Sequence, residues 1–386
     1  MRNPRLFRHL LAGTLLGVTI SDIWAQGNRG ADRRRAPEYR TEVPDRTWDL
    51  VLSRPTTDAV DLSLLSYRDL EVRIHYQSAE KSLHPSETDS AVYEADTPRL
   101  FELRQLSPDT AYRYHVQFRI DEDSDWQTGP EHTFHTARPA GAPFRFTIQA
   151  DSHLDGGVDP ATYRQTLLNA RMDEPDFHID LGDTFMVEKY PDYRDSFAQY
   201  LAQRYYFDHL GVPLFIVLGN HDGETLGRRG RDDDEMAVWS NLQRKKLFPN
   251  PEPNAFYTGN TTPHPTADFL QNFYAWTWGD ALFVVLDPFW NSIKIRGRGS
   301  DDSANWNRTL GDDQYAWLTD TLNSSKATHK FIFIHHLVGG ETPEGRGGAE
   351  ASHFFEWGGK ELDGRDTFAQ RRPNWAKPIH DLLREH

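Results

Sequence analysis

Four short polar runs, Asp151-Ser152-His153, Gly182-Asp183, Gly219-Asn220-His221-Asp222 and His335-His336, each follow an apolar, strand-like stretch. They offer carboxylates, imidazoles and an amide, and the chain contains no cysteine. Oxygen and nitrogen donors without sulfur suit manganese, iron or zinc, and the missing thiols exclude disulfides, thiolate metal sites and cysteine catalysis. Beyond the carboxyl ends of strands in an open α/β sheet, such groups meet in one crevice. Asp151 and His153 fall there after a first strand, Asp183 after a second, Asn220 and His221 after a third and His335 after a later one. Asp183 is the natural bridge, because a carboxylate can hold two cations about 3.5 to 4 Å apart. Each run alone is a common turn or cap; Gly-Asn-His-Asp directly after Phe215-Ile216-Val217-Leu218 is far more specific, and the ordered set more so.

The runs that must carry these groups are continuous apolar stretches at 144–150, 177–181 and 213–218, alternating with helical periods at 161–171 and 193–210. That alternation predicts strands buried on both faces with crossover helices. Stretches 273–278 and 281–286 flank Gly279-Asp280 as a hairpin, and a helix at 312–322 leads into a strand at 330–334. Two long segments, 223–262 and 337–366, follow motifs directly and are expected to roof the site as loops. From about 45 to 138 the text changes to short alternating runs at 48–52, 59–65, 70–76, 99–106, 111–118 and 131–135, the mark of a small antiparallel sandwich. Within it, the run from Leu106 to Tyr114 resembles the corner before a late strand in fibronectin type III domains, with Tyr112 packed inward and its hydroxyl bonded to nearby backbone.

The ordered motifs resemble those of the calcineurin-like metallophosphoesterases, Asp-x-His, Gly-Asp, Gly-Asn-His-(Asp or Glu), His, then Gly-His-x-His, over roughly residues 143 to 386. The resemblance implies an α/β metallophosphoesterase sandwich of mixed sheets flanked by helices. The small all-β, immunoglobulin- or fibronectin III-like sandwich ahead of it is similar to the purple acid phosphatase arrangement. It implies two divalent metal ions, Asp151 and His153 on the first, Asn220 and His335 on the second and Asp183 between them, with His221 as the acid beside the leaving group, oriented by Asp222. The implied activity is hydrolysis of a phosphate ester by a bridging hydroxide. His336 and Arg346 are candidate substrate contacts, the latter because guanidinium matches phosphate bidentately; Asp287 lies near the crevice without being a ligand. Two departures stand out. Met186 and His153 occupy positions where purple acid phosphatases carry tyrosine and glycine, which aligns the chain with the broader group and disfavours ferric iron. The Gly-His-x-His element is absent; His380 and His386 fall in a helix and are expected at the surface, so the catalytic region (139–386) is expected to be C-terminally incomplete.

Length and composition set the outer bounds. At 386 residues, 37% hydrophobic and 12% aromatic, the chain fills two cores. A net charge of -15 argues against general nucleic-acid or acidic-membrane binding, while small phosphate esters remain accessible to a site whose cations reverse the local field. Arg2, Arg5 and Arg8 before an apolar run from Leu10 to Ile20 and Ala25-Gln26 predict a signal peptide over 1–25. A linker over 26–44, a secreted or periplasmic location and no membrane span after cleavage follow. Oligomeric state leaves no trace, and the sequons at Asn260, Asn307 and Asn323 carry no message of their own. Rival readings are a secreted binding protein with a degenerate, inactive second region, and a phosphatase of extracellular polymer targeted by its sandwich.

Overall fold

The computed structural model describes residues 41–79, 85–155, 157–226, 235–292, 305–337 and 347–386. The expected signal peptide, linker residues 26–40 and Arg346 lie outside them. The N-terminal part is all β: β1 (Trp48–Ser53), β2 (Val60–Ser66), β3 (Leu70–Ser78), β4 (Ser86–Glu87), β5 (Ala91–Tyr93), β6 (Arg99–Leu103), β7 (Ala111–Arg119), β8 (Gln127–Thr128) and β9 (His132–His135). One antiparallel sheet runs β1-β2-β6 and the other is built on the β3/β7 pair, flanked by β4, β5, β8 and β9. Period-two alternation makes them face each other: Leu70, Val72 and Ile74 of β3 and Tyr112, Tyr114 and Val116 of β7 point into a core shared with Leu50, Leu62 and Leu64. The Tyr112 hydroxyl accepts the Ser107 N–H at 2.8 Å, the expected corner. Strands β4, β5 and β8 are two or three residues long, too short to show a period.

The second part is layered helix, sheet, sheet, helix. Parallel strands β10 (Phe146–Gln149), β11 (Phe177–Asp180) and β12 (Leu214–Ile216) form one sheet. Strands β13 (Thr258–Gly259), β14 (Tyr274–Trp278), β15 (Ala281–Val285) and β16 (His329–Phe333) form the other, antiparallel except for the β15/β16 pair. The sheets meet through an aromatic layer: Phe215 stacks on Trp276 with centroids 4.0 Å apart, and Phe146 and Phe177 meet Phe283 edge-on at 5.1 Å. Each such pair adds about 0.5–1.5 kcal/mol beyond the burial itself. Helices α1 (Pro160–Met172), α2 (Phe197–Asp208) and α3 (Glu235–Leu247) contribute to the core outside the parallel sheet. Helix α4 (Asp312–Ser324) and the short C-terminal turns that bring Phe355, Trp375 and Ile379 cover the mixed sheet. Asp159 caps α1 by accepting the Ala161 N–H, and Pro160 opens the helix with φ already set.

Four expectations change. The helical stretch 193–210 is a 3-10 turn, Tyr193–Ser196, followed by α2. The supposed loop 223–262 contains the whole of α3. Its inward residues Met236, Ala237, Ser240, Asn241, Arg244 and Leu247 keep a helical spacing, but half are polar, so no apolar stripe announced it. The polar ones are satisfied inside: Arg244 makes a forked ion pair with Glu224, at 2.6 and 3.0 Å, and Asn241 donates to the same carboxylate. The segment 337–366 likewise contains helical turns at Ala349–Ala351 and Phe355–Gly358. Finally, β2 is buried at every position rather than alternately, because Val51 and Leu65 on the outer face of β1 and β2 pack into the same cluster as Tyr206 and Phe207 of α2. Among the described residues no helix is long and apolar enough to cross a membrane.

Candidate metal centre

The exits of β10, β11 and β12 are tied side by side by backbone: the Asp151 N–H donates to the Gly182 carbonyl at 3.0 Å and the Val217 N–H to that of Asp180 at 2.8 Å. Two glycines let the loops touch. A methyl group on Gly182 would lie 2.8 Å from the Val217 oxygen, and one on Gly219 2.9 Å from the Asp183 Cα. Asp151, His153 and Asp183 themselves adopt left-handed backbone, φ 58, 48 and 56°. Asp and His tolerate that region better than most residues, yet each such residue stores about 1–3 kcal/mol that the surrounding fold must hold.

The result is convergence on one atom. Asp183 Oδ2 lies 3.4 Å from His153 Nε2, 3.4 Å from His335 Nε2 and 3.9 Å from His221 Nε2. His153 Nε2 is also 3.3 Å from Asp151 Oδ1, and donor atoms of Asp151, Asp183 and His335 all fall within 4.8 Å of one another. Two donors each about 2.1 Å from one ion at a tetrahedral angle stand about 3.4 Å apart, so these separations are those of ligands with room for a cation between them. His335 Nδ1 lies 2.8 Å from the Leu181 carbonyl, which places its proton there and leaves Nε2 to face the carboxylate, the outer-sphere arrangement of a metal-bound imidazole. Asp183 and His335 are 5% exposed at the side chain while Asp151 is 56% exposed, so the cluster has a closed floor and an open side. The donor set and its spacing therefore fit a divalent cation.

Electrostatics follow the same geometry. Burial opposes the Asp183 charge, but His335 and His221 hold its carboxyl well below the usual range. Burial also works against a charged His335, and Asp183 overrides it, raising the imidazole to about 9. Behind them are two buried carboxyls: burial and the Asp183 charge push Asp222 up to about 6, and burial with the Asp222 charge pushes Asp180 up to about 7.

Asp222 requires a correction. Its carboxylate does not hydrogen-bond the His221 ring; Oδ1 accepts the Thr184 and Phe185 N–H groups at 2.7 and 2.8 Å, and Oδ2 those of Gly219 and Asp183 at 2.7 and 3.2 Å. It fixes the loop that carries Asp183. The group against His221 Nδ1 is Glu188, in close hydrogen-bonded contact from the 3-10 turn Val187–Lys189. Glu188 escaped the sequence reading because it belongs to no motif; its only signal is a carboxylate five residues past Asp183. His221 also donates its backbone N–H to Asp183 Oδ1 at 2.8 Å, and burial lowers the pKa of its ring. Asn220 is half-buried at the β12 exit, and His336 is half-buried with its ring 4.4 Å from that of His335 and 6.1 Å from Phe289. Asp287 is buried, its carboxylate holding the Phe289 and Trp290 N–H groups and the Asn272 amide. His380 sits on the C-terminal helix Ile379–Arg384.

The profile of the calcineurin-like phosphoesterase family matches residues 144–369. Among solved structures, one titled "Structure of PhoD" is similar at 16% identity with a TM-score of 0.51, covering 74% of this chain and 61% of that one, which shows a shared fold. This chain thus spans about three fifths of that protein's length. The FN5 domain of Drosophila Lar matches 23% of this chain and 90% of its own at 21% identity, with a TM-score of 0.18, too low to bear on the fold. No curated protein matches.

Proposed function

Because this chain belongs to the calcineurin-like phosphoesterase family, we propose that it is a metal-dependent hydrolase of small phosphate esters. The observation that carries the reading is the convergence of the His153, His221 and His335 Nε2 atoms on Asp183 Oδ2, beside Asp151. In this reading Asp151, His153 and Asp183 would hold one divalent cation and Asp183, Asn220 and His335 a second, with manganese, iron and zinc the candidates by donor chemistry. Such a pair, when bound, supplies Lewis acidity toward the phosphoryl oxygens and a water acidic enough to act as hydroxide near neutral pH.

The protein's own groups do the rest. Asp222 and the two glycines hold Asp183 in its left-handed conformation, so the ligand geometry exists before any ligand arrives. His221 delivers a proton from Nε2 to the departing alkoxide. With Glu188 against Nδ1, the neutral ring keeps its proton on the Glu188 side, so an acid at Nε2 is the imidazolium, and the Glu188 carboxylate stabilises that charge. His336, half-buried beside His335, is assigned to the substrate side.

The division into a signal peptide (1–25), a linker (26–44), a fibronectin III-like sandwich (45–138) and a catalytic region (139–386) belongs to the same proposal. It is supported by the Arg-rich, then apolar start and by the Tyr112 corner; it implies export from the cytoplasm. The charge of -15 supports small esters over nucleic acid as substrates. The test is a panel of phosphate mono- and diesters assayed with manganese, zinc and iron on chelator-stripped protein. Turnover that returns with metal and prefers one ester class supports the reading. A protein that takes up metal and hydrolyses none of them is a binding protein instead.

A further inference from the structure

A cavity of about 410 Å³ lies between the Pro253–Thr262 segment, Phe273 just before β14 and the exposed face of α4, and none of the metal-centre residues lines it. That volume is within the range of small-molecule sites. Asp313, Trp317 and Asp320 of α4 line it together because they are four and three residues apart, on one helical face. Trp317 is half-buried, its ring set against Phe273 at 4.9 Å.

What the wall can bind is decided by which of its groups are already engaged. The Trp317 indole N–H donates to Thr258, the Asn260 amide to Asn272, the Tyr257 hydroxyl to the Pro55 carbonyl and the Thr262 hydroxyl to Asp313. These four donors are therefore spent on protein partners. No lysine, arginine or histidine lines the cavity among the described residues. Its charged groups are the exposed carboxylates of Asp320 and of Asp313, which accepts the Thr262 hydroxyl, and they share the wall with the half-buried Trp317 ring and the neutral side chains of Asn254, Thr258 and Thr261. Asp313, in the first turn of α4, is favoured there by the helix dipole, but Asp320 lies in the C-terminal half, where the dipole lends a carboxylate no support.

The geometry points to this cavity as a binding site for a small organic ammonium ion, held by cation–π contact with Trp317 and by the charges of Asp313 and Asp320. The site stands independently of the metal centre and of the hydrolase reading. The test is calorimetric titration of the full chain with choline chloride, with sodium chloride at equal ionic strength and methyl glucoside as controls. Saturable choline binding is expected, weakened about five- to tenfold by Trp317→Ala, retained in Trp317→Tyr and weakened about threefold by Asp320→Asn. Asp320 is exposed, so its variant reports on binding even where Trp317→Ala disturbs the packing on Phe273. Heat no larger than that of sodium chloride, affinity unchanged in the Asp320→Asn variant, or binding of methyl glucoside in place of choline would overturn the assignment.

Discussion

At the scale of single residues, Asp183 and His221 are neighbours whose proposed tasks can be separated. Asp183 Oδ2 faces three imidazoles, so Asp183→Ala removes the group they share and leaves nitrogen facing nitrogen. That variant is expected to lose all bound metal by elemental analysis, and hydrolysis with it, whereas Asn220→Ala weakens only one ion. Two metal equivalents retained in Asp183→Ala would refute its bridging role. His221→Ala is expected to keep its metal and lose roughly 10²–10⁴-fold in kcat on alkyl esters, but much less on nitrophenyl esters, whose leaving group needs no proton. Equal losses on both would argue against proton donation. Glu188→Gln removes the charge that favours imidazolium, so the His221 pKa falls further. The acid form is then lost at lower pH, and the alkaline limb of the kcat profile should move down by about one unit. A profile that stays in place would leave Glu188 a structural contact.

At the scale of elements, the site is a product of how closely two turns approach. A Cβ on Gly219 would run into the Asp183 backbone, so a side chain there must push the loop that carries the proposed bridging residue. Gly219→Ala is expected to lower metal affinity about 10- to 100-fold, the range for disturbing the support of a ligand, while the chain still folds. Gly141→Ala is the control for backbone strain without contact: unlike Gly219 it has positive φ, +83°, and there is open space around it, so it should cost about 1 kcal/mol of stability and leave metal binding untouched. Similar metal affinity in the two variants would show that the close approach of Gly219 to Asp183 does not decide the outcome.

At the scale of the whole molecule, the β-sandwich and the α/β part share interior. Arg204 of α2 is fully buried against Asp49 of β1 and also donates to the Ser63 carbonyl at 2.7 Å, while the Leu50 N–H donates to Asp208 at 2.8 Å. Arg204→Met takes one of two guanidinium partners from Asp49, which keeps Arg46 and the Tyr67 hydroxyl, and should destabilise by about 1–3 kcal/mol. With Val51 and Leu65 packed beside Tyr206 and Phe207, calorimetry is expected to show one unfolding transition, not two. Burial and the Asp49 charge raise Asp208 to about 7, above its unfolded value of about 3.9. The folded state then holds a proton that the unfolded state has released, so this contribution is full below pH ~4 and is lost as pH rises through 7. Asp208→Asn still accepts the Leu50 N–H but cannot ionise. It should match the parent at pH 4 and exceed it by about 1–2 kcal/mol at pH 8, read from denaturant midpoints. Equal stability at both would remove Asp208 as a pH-sensitive element.

The sequence by itself determined the donor chemistry and its order along the chain. Candidate donors at strand exits are local features: a run such as Phe215 to Leu218 ends in Gly219-Asn220-His221-Asp222, and both the strand and its polar end are written in consecutive residues. The same holds for the period-two strands of the sandwich and for the Tyr112 corner, whose partner is five residues away. Tertiary structure decided everything that depends on a distant partner. Helix α3 was illegible because Ser240, Asn241 and Arg244 are polar, and only the buried Glu224 makes their burial tolerable. β2 was read as half-exposed because nothing in its own residues reveals that α2 covers its other face. Asp222 was read as the partner of the residue beside it, yet hydrogen-bond geometry turns its carboxylate to the backbone of Asp183, Thr184 and Phe185, and Glu188 takes the imidazole. Side-chain type constrains what a residue can bind, but the folded backbone sets which group lies within 3 Å of it.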